Sequence, residues 1–93
     1  MEKQTFAIVW EAIEDNPAVA VTMQIRSDLM VAVRGAVTAW GLTQADAARR
    51  LDITQPRLND LLRGRIDRFS LDALVAIAAR AGLEVRLEIR AAA

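Results

Sequence analysis

Hydrophobic residues change their spacing twice along this chain. From Ile25 through Leu29, Val33 and Val37 to Trp40 they recur every three or four positions, the repeat of one buried helix face. Asn16-Pro17 reads as the start of that helix. Asn is a strong N-cap, and a proline at the first helical position gives up only a donor that has no partner there. Gly41 closes the helix, with Leu42 placed to fold back on Val37 as in a Schellman cap. Val19, Val21 and Thr22 are weak helix formers, so the first turns are expected either within this helix or as a separate short one.

Shorter capped segments follow. Thr43 caps QADAARRL, with Ala47, Ala48 and Leu51 on its inner side and Arg49 and Arg50 outward. Asp52-Ile53 is a turn, and Thr54 caps QPRLNDLLR, whose buried face is predicted to be Leu58, Leu61 and Leu62 and which stops at Gly64. After the loop Arg65 to Phe69, Ser70 caps LDALVAIAARA, ended by Gly82, with Leu71, Leu74, Val75 and Ala78 as its expected stripe. Residues 83–90, LEVRLEIR, then switch to strict alternation, which predicts a half-buried strand. No linker divides the chain, so residues 1–93 are read as one domain, with residues 1–16 an acidic extension.

Composition narrows the chemistry. At 93 residues and 54% apolar, the chain has material for one small core, and association is a common remedy for so small a core. Neither cysteine nor histidine occurs, so disulfides, thiolate metal sites and the commonest general base are excluded. Ser27 and Ser70 therefore have no imidazole to activate them. Glu11, Glu14 and Asp15 read as a solvated face, with no further ligand to make a metal site. Trp10, in FAIVW, is divided between packing and a partner-facing role, whereas Trp40 is expected in the core. No signal sequence or membrane-length apolar run is evident, and a cytoplasmic location, no cofactor and no catalysis are expected.

Net charge is zero, yet it is unevenly placed. Residues 1–16 set Glu2, Glu11, Glu14 and Asp15 against Lys3, a net −3, while residues 43–68 set six arginines against four aspartates, a net +2. Such asymmetry fits a basic working face and an acidic extension.

That basic stretch, LTQADAARRLDITQPRLNDLLRG (residues 42–64), has the pattern of a helix-turn-helix: two short capped helices, small alanines at their close approach, and Ile53 and Leu58 plugging the space between. On the second helix Pro56, Asn59, Asp60 and Arg63 turn away from the leucines, with Gln55 and Arg57 at the N-terminal tip. In this motif that tip reaches base edges in the major groove. Gln and Asn suit adenine and Arg suits guanine. Thr43, Gln44 and the first turn behind them could hold a phosphate, and Arg63, Arg65 and Arg68 are expected as phosphate anchors. Asp60 is more readily an orienter of a neighbouring arginine than a base reader. With the caps Thr43 and Thr54, the candidate DNA-facing set is Thr43, Gln44, Thr54, Gln55, Pro56, Arg57, Asn59, Asp60, Arg63, Arg65 and Arg68.

Across residues 26–89 the chain resembles the XRE (Cro/repressor-like) helix-turn-helix family, in its HigA-type antitoxin branch; TQADAARRL, TQPRLNDLLRG and FSLDAL carry the resemblance. It implies a mainly α domain of four to five helices with a C-terminal β-strand, forming a dimeric repressor that binds an operator. In many such proteins the repressor also neutralises a partner toxin, typically an mRNA-cleaving endoribonuclease. One departure is Asp52, which stands where the family usually has Gly in the turn, at an expected cost of ~1 kcal/mol. Competing expectations are a protein-interaction module that neutralises a toxin with weak or no DNA binding, and a stand-alone regulator without a toxin.

A lone strand leaves backbone groups unpaired. Residues 83–90 are therefore expected to pair with FAIVW or with the same strand of a second copy, burying Leu83, Val85, Leu87 and Ile89. Antiparallel pairing centred on Leu87 sets Glu84 against Arg90 and Arg86 against Glu88. A centre at Arg86 opposes two glutamates; one at Val85 gives a shorter overlap. The dimer would present its recognition helices to successive major grooves, so the expected operator is a pseudo-palindrome in double-stranded DNA.

Overall fold

The structure, a computed structural model, describes residues 16–91. Among them are four α-helices: α1 (Pro17–Trp40), α2 (Gln44–Leu51), α3 (Gln55–Leu62) and α4 (Leu71–Arg80). A single 3-10 turn, Ile66–Arg68, lies between α3 and α4.

Each helix begins on the cap its sequence announces. Asn16 Oδ1 accepts from Val19 N at 3.4 Å, Thr43 Oγ1 from Asp46 N at 3.1 Å, Thr54 Oγ1 from Arg57 N at 3.2 Å and Ser70 Oγ from Ala73 N at 3.1 Å. A cap of this kind contributes about 1 kcal/mol. Despite Val19, Val21 and Thr22, α1 is one continuous helix of 24 residues. Thr22 adapts by donating its hydroxyl to Ala18 O at 2.8 Å. At the far end Gly41 is left-handed and its N–H donates to Thr38 O. Leu42 does not fold back as expected; it remains exposed.

The core gathers one stripe from each helix. Leu29, Met30, Val33 and Val37 of α1 meet Ala47, Ala48 and Leu51 of α2, Leu58 and Leu61 of α3, and Leu74, Ile77 and Ala78 of α4. Phe69 seals the middle, and Ile25, Trp40, Ile53, Leu62 and Leu71 pack around the rim. The expected α4 stripe shifts by a fraction of a turn. Ile77 is buried and Val75 is exposed, because Leu74, Ile77, Ala78 and Ala81 keep the i, i+3, i+4, i+7 spacing and Val75 lies about 100° off it. α1 lies against α4 and also touches α3 and the 3-10 turn, while α2 packs on α3 and α4.

Residues 83–90 do not form the expected strand. Leu83 still packs against the core and its N–H reaches Ala78 O at 3.0 Å, but Val85, Leu87 and Ile89 are exposed. A strand exists only by pairing, and no described residue of the same chain lies alongside to pair with it. Pairing with FAIVW, like the acidic extension itself, falls outside the described residues. No described helix is long and apolar enough to cross a membrane.

Candidate nucleic-acid interface

The α2–turn–α3 unit is held at its corner by Asp52, the one described non-glycine residue with positive φ (φ 58°, ψ 45°). Its N–H donates back to α2, and the following N–H, of Ile53, reaches Ala48 O at 3.0 Å. Asp tolerates this left-handed conformation better than most residues, so the turn forms as the capping pattern requires. Behind it Arg80 of α4 donates to Leu51 O at 3.4 Å, covering the C-terminal end of α2.

α3 rests on Leu58 and Leu61, neither of which has any exposure. Gln55, Pro56 and Asn59, followed by Arg63 at the C-cap, are all exposed. Among the described residues the side chains of Gln55 and Asn59 make no hydrogen bond, so their amides are free. Thr43, Gln44 and Thr54 are exposed at the N-termini of α2 and α3, the two threonines with their hydroxyls engaged as caps. An open depression at the α2–α3 corner brings Arg49, Thr54 and Gln55 together. Arg49, outside the predicted set, is thus a cation on this face, paired among the described residues only with exposed Asp46 at 3.2 Å.

Arg57 behaves differently from its neighbours. Sequence reasoning placed it with Gln55 at the free tip, but it is half-buried. Its guanidinium lies 4.2 Å over the Phe69 ring, and Nη1 donates to Arg68 O at 2.8 Å. The reason is angular: Arg57 stands one residue before Leu58 and four before Leu61, on the edge of the buried arc. A hydrogen bond from a charged donor contributes about 1.5–3 kcal/mol and stacking on an aromatic face about 0.5–1 kcal/mol or more. A bidentate contact to a base discriminates by about 1–3 kcal/mol. Swinging Arg57 to a base would therefore cost about as much as it gained.

Asp60, one turn further along the same edge, binds the other end of this loop. Its carboxylate accepts from Arg68 Nη1 at 3.1 and 3.3 Å, with Arg65 Nε 3.9 Å away. Asp60 thus holds arginines in place, as one of its two sequence readings had it. Arg65 and Arg68 keep exposed surface of 38% and 51% on their side chains, enough to meet an anion while tethered. Gly64, at φ +71°, makes the bend before them, and Arg34 Nη1 stands 3.2 Å from where a Cβ would be.

Two further residues absent from the predicted set shape this surface. Arg26 of α1 spans to the loop, donating to Ile66 O and, at 2.9 and 3.1 Å, to Phe69 O. Its signal was legible: a charge three and four residues before buried Leu29 and Met30 needs an internal partner. Arg50 stacks 4.0 Å over Trp40, tying α2 to the end of α1. Among the described residues no group of three or more acidic side chains is placed to hold a metal ion.

Residues 12–90 match a family described as a helix-turn-helix domain. No curated protein matches the chain.

Proposed function

Because the chain belongs to the helix-turn-helix domain family, a family of DNA-binding regulators, we propose that it is a sequence-specific repressor acting on double-stranded DNA. It works as a homodimer on a pseudo-palindromic operator and serves as the antitoxin of a type II toxin–antitoxin pair. One observation carries the DNA reading. α3 is seated on the core through Leu58 and Leu61 while Gln55, Pro56, Asn59 and Arg63 stand exposed. A rigid rod that exposes polar, bidentate-capable side chains is what major-groove reading needs.

The exposed surface of Arg49, Arg65 and Arg68 supports contact with backbone phosphates, and the exposed N-terminus of α2 at Thr43 and Gln44 supports a further anion contact. The homodimer is supported by Val85, Leu87 and Ile89, left 47%, 75% and 83% exposed beside backbone that pairs with no described strand. The antitoxin role rests on the resemblance across residues 26–89 to the HigA-type branch.

Binding of the full chain to duplexes from the region upstream of its gene tests the first part. Affinity should fall steeply as salt rises, because neutralised phosphates release counterions. Equal, salt-insensitive affinity for every duplex would dismiss it. Copurification with the product of an adjacent small gene, at fixed stoichiometry, tests the second. Zero net charge favours a second reading, a protein-interaction module that neutralises a toxin with weak or no DNA binding. A stable partner complex together with no duplex affinity would establish that reading.

A further inference from the structure

We propose that the sequence read by α3 is an adenine-bearing half-site, contacted by Gln55 and Asn59, and that Arg57 positions the loop rather than reading guanine. The inference rests on the DNA-binding reading above and gives it a chemical specificity. Three side chains of α3 have the geometry for bidentate base contacts: Gln55, Arg57 and Asn59. Two of them are free and one is not. Arg57 lies 4.2 Å over the Phe69 ring and donates to Arg68 O at 2.8 Å, whereas Gln55 and Asn59 are exposed and make no hydrogen bond among the described residues.

Helix geometry sharpens the contrast. Gln55 and Asn59 are four residues apart, so their side chains emerge about 40° from one another and follow the same groove. Arg57 lies between them in sequence but faces the 3-10 turn, on the edge it shares with Asp60. Together these two residues grip both ends of Arg68: Arg57 takes its backbone carbonyl and Asp60 its guanidinium. Arg26 holds the same loop from α1 through Ile66 O and Phe69 O. The loop bearing Arg65 and Arg68 is thereby fixed relative to α3, so phosphate anchoring and base reading share one rigid frame.

An amide side chain matches the N6 donor and N7 acceptor of adenine. With Arg57 engaged elsewhere, discrimination falls on A·T pairs at the two positions that Gln55 and Asn59 reach. Pro56, exposed next to Gln55 in sequence and without a side-chain polar atom, adds only apolar contact of the kind a thymine methyl accepts.

Selection by the full-length protein from a pool of random-sequence duplexes, followed by substitution, tests this. A·T pairs should be enriched at two positions in each half-site. Replacing the adenines there by 7-deazaadenine, which removes the N7 acceptor, should weaken binding of the wild-type protein about 5- to 150-fold. Gln55→Ala and Asn59→Ala should each relax preference at one of those positions. Arg57→Ala and Arg57→Lys should keep the preference while lowering thermal stability and affinity for all duplexes alike. A guanine enriched at a position where 7-deazaguanine weakens wild-type binding, with preference there lost in Arg57→Lys, would overturn the proposal. So would enriched adenines indifferent to 7-deaza substitution, a wild-type measurement that holds even if the Arg57 variants fail to fold. A pool from which no sequence is enriched, with no salt-dependent binding, would instead remove the DNA reading on which the proposal stands.

Discussion

Arg26 and Phe69, 43 residues apart in sequence, are joined by two hydrogen bonds from one guanidinium to one carbonyl oxygen, at 2.9 and 3.1 Å. The same guanidinium also satisfies Ile66 O. These carbonyls lie in the loop between α3 and α4, which carries Arg65 and Arg68 and whose Phe69 ring receives Arg57. A single side chain from α1 thus fixes the loop on which the basic face depends.

Replacing Arg26 by Met keeps much of its alkyl packing and removes every one of those donors. Charge-assisted hydrogen bonds contribute about 1.5–3 kcal/mol each, but the carbonyls are only partly buried and water replaces some of the loss. A net destabilisation of about 2 kcal/mol follows. For a domain of this size that lowers Tm by ~8–16 °C. Thermal denaturation followed by circular dichroism measures it, and a shift below about 2 °C would show that the loop is held by packing alone.

Asp52 gives a prediction of opposite sign. Its φ of 58° puts an L-residue in the left-handed region, and its carboxylate sits at the C-terminal end of α2, where the helix dipole disfavours negative charge. Asp52→Gly removes both penalties at the expense of a more flexible unfolded chain. The expected gain is about 0.5–1 kcal/mol, or ~2–8 °C in Tm. Asp52→Ala, without the local hydrogen bonding that lets Asp tolerate this conformation, should lose about 1 kcal/mol. If both variants melt with the wild type, the turn is not strained.

Much of this fold was legible before any coordinates. The caps Asn16, Thr43, Thr54 and Ser70, the corner at Asp52 and the leucines under α3 all follow from local rules that tertiary structure did not override. What the sequence leaves open is tertiary. Nearness to the helix N-terminus puts Arg57 at the tip, although its four-residue spacing from Leu61 sets it toward the core. The Phe69 ring it meets belongs to a loop whose path depends on Arg26, and no local pattern links residues 26, 57 and 69. Residues 83–90 are the reverse case: the alternation is plain in sequence, but a strand needs a second strand, and one described chain does not supply it.

Arg65 and Arg68 should separate affinity from sequence preference. Both keep exposed guanidinium surface while Asp60 holds them. If each meets one phosphate, Arg65→Ala and Arg68→Ala weaken binding equally on preferred and scrambled duplexes. Each should also make the dependence of log K on log salt shallower by about 1. Fluorescence anisotropy across a salt series reads both quantities. An unchanged slope would place these arginines away from the backbone, and a changed base preference would make them readers instead.

The tail from Leu83 to Arg90 offers the sharpest test of the dimer. In the single chain Arg86 turns to its own neighbour Glu84, 3.3 Å away, with both side chains largely in solvent. Such an exposed pair contributes at most about 1 kcal/mol, so it does not hold the tail against pairing with a second copy. In an antiparallel pair centred on Leu87, Arg86 of each copy faces Glu88 of the other, and the two contacts are related by symmetry. Arg86→Glu therefore introduces two repulsions at once, at about 0.2–1 kcal/mol each beyond the attractions lost. The dimer dissociation constant should rise between about 4- and 700-fold by analytical ultracentrifugation, each 1.4 kcal/mol being a factor of about ten. Exchanging the charges in the double variant Arg86→Glu/Glu88→Arg restores opposite signs across the pair and should recover most of the loss. Loss followed by recovery is specific to this register: with a centre at Arg86 residue 86 faces its own copy, so the single variant loses nothing, and with a centre at Val85 the glutamate introduced at position 86 faces Glu84 in both variants. A double variant as weak as the single one would refute the Leu87 centre, and a wild-type chain that stays monomeric at high concentration would refute the strand dimer itself.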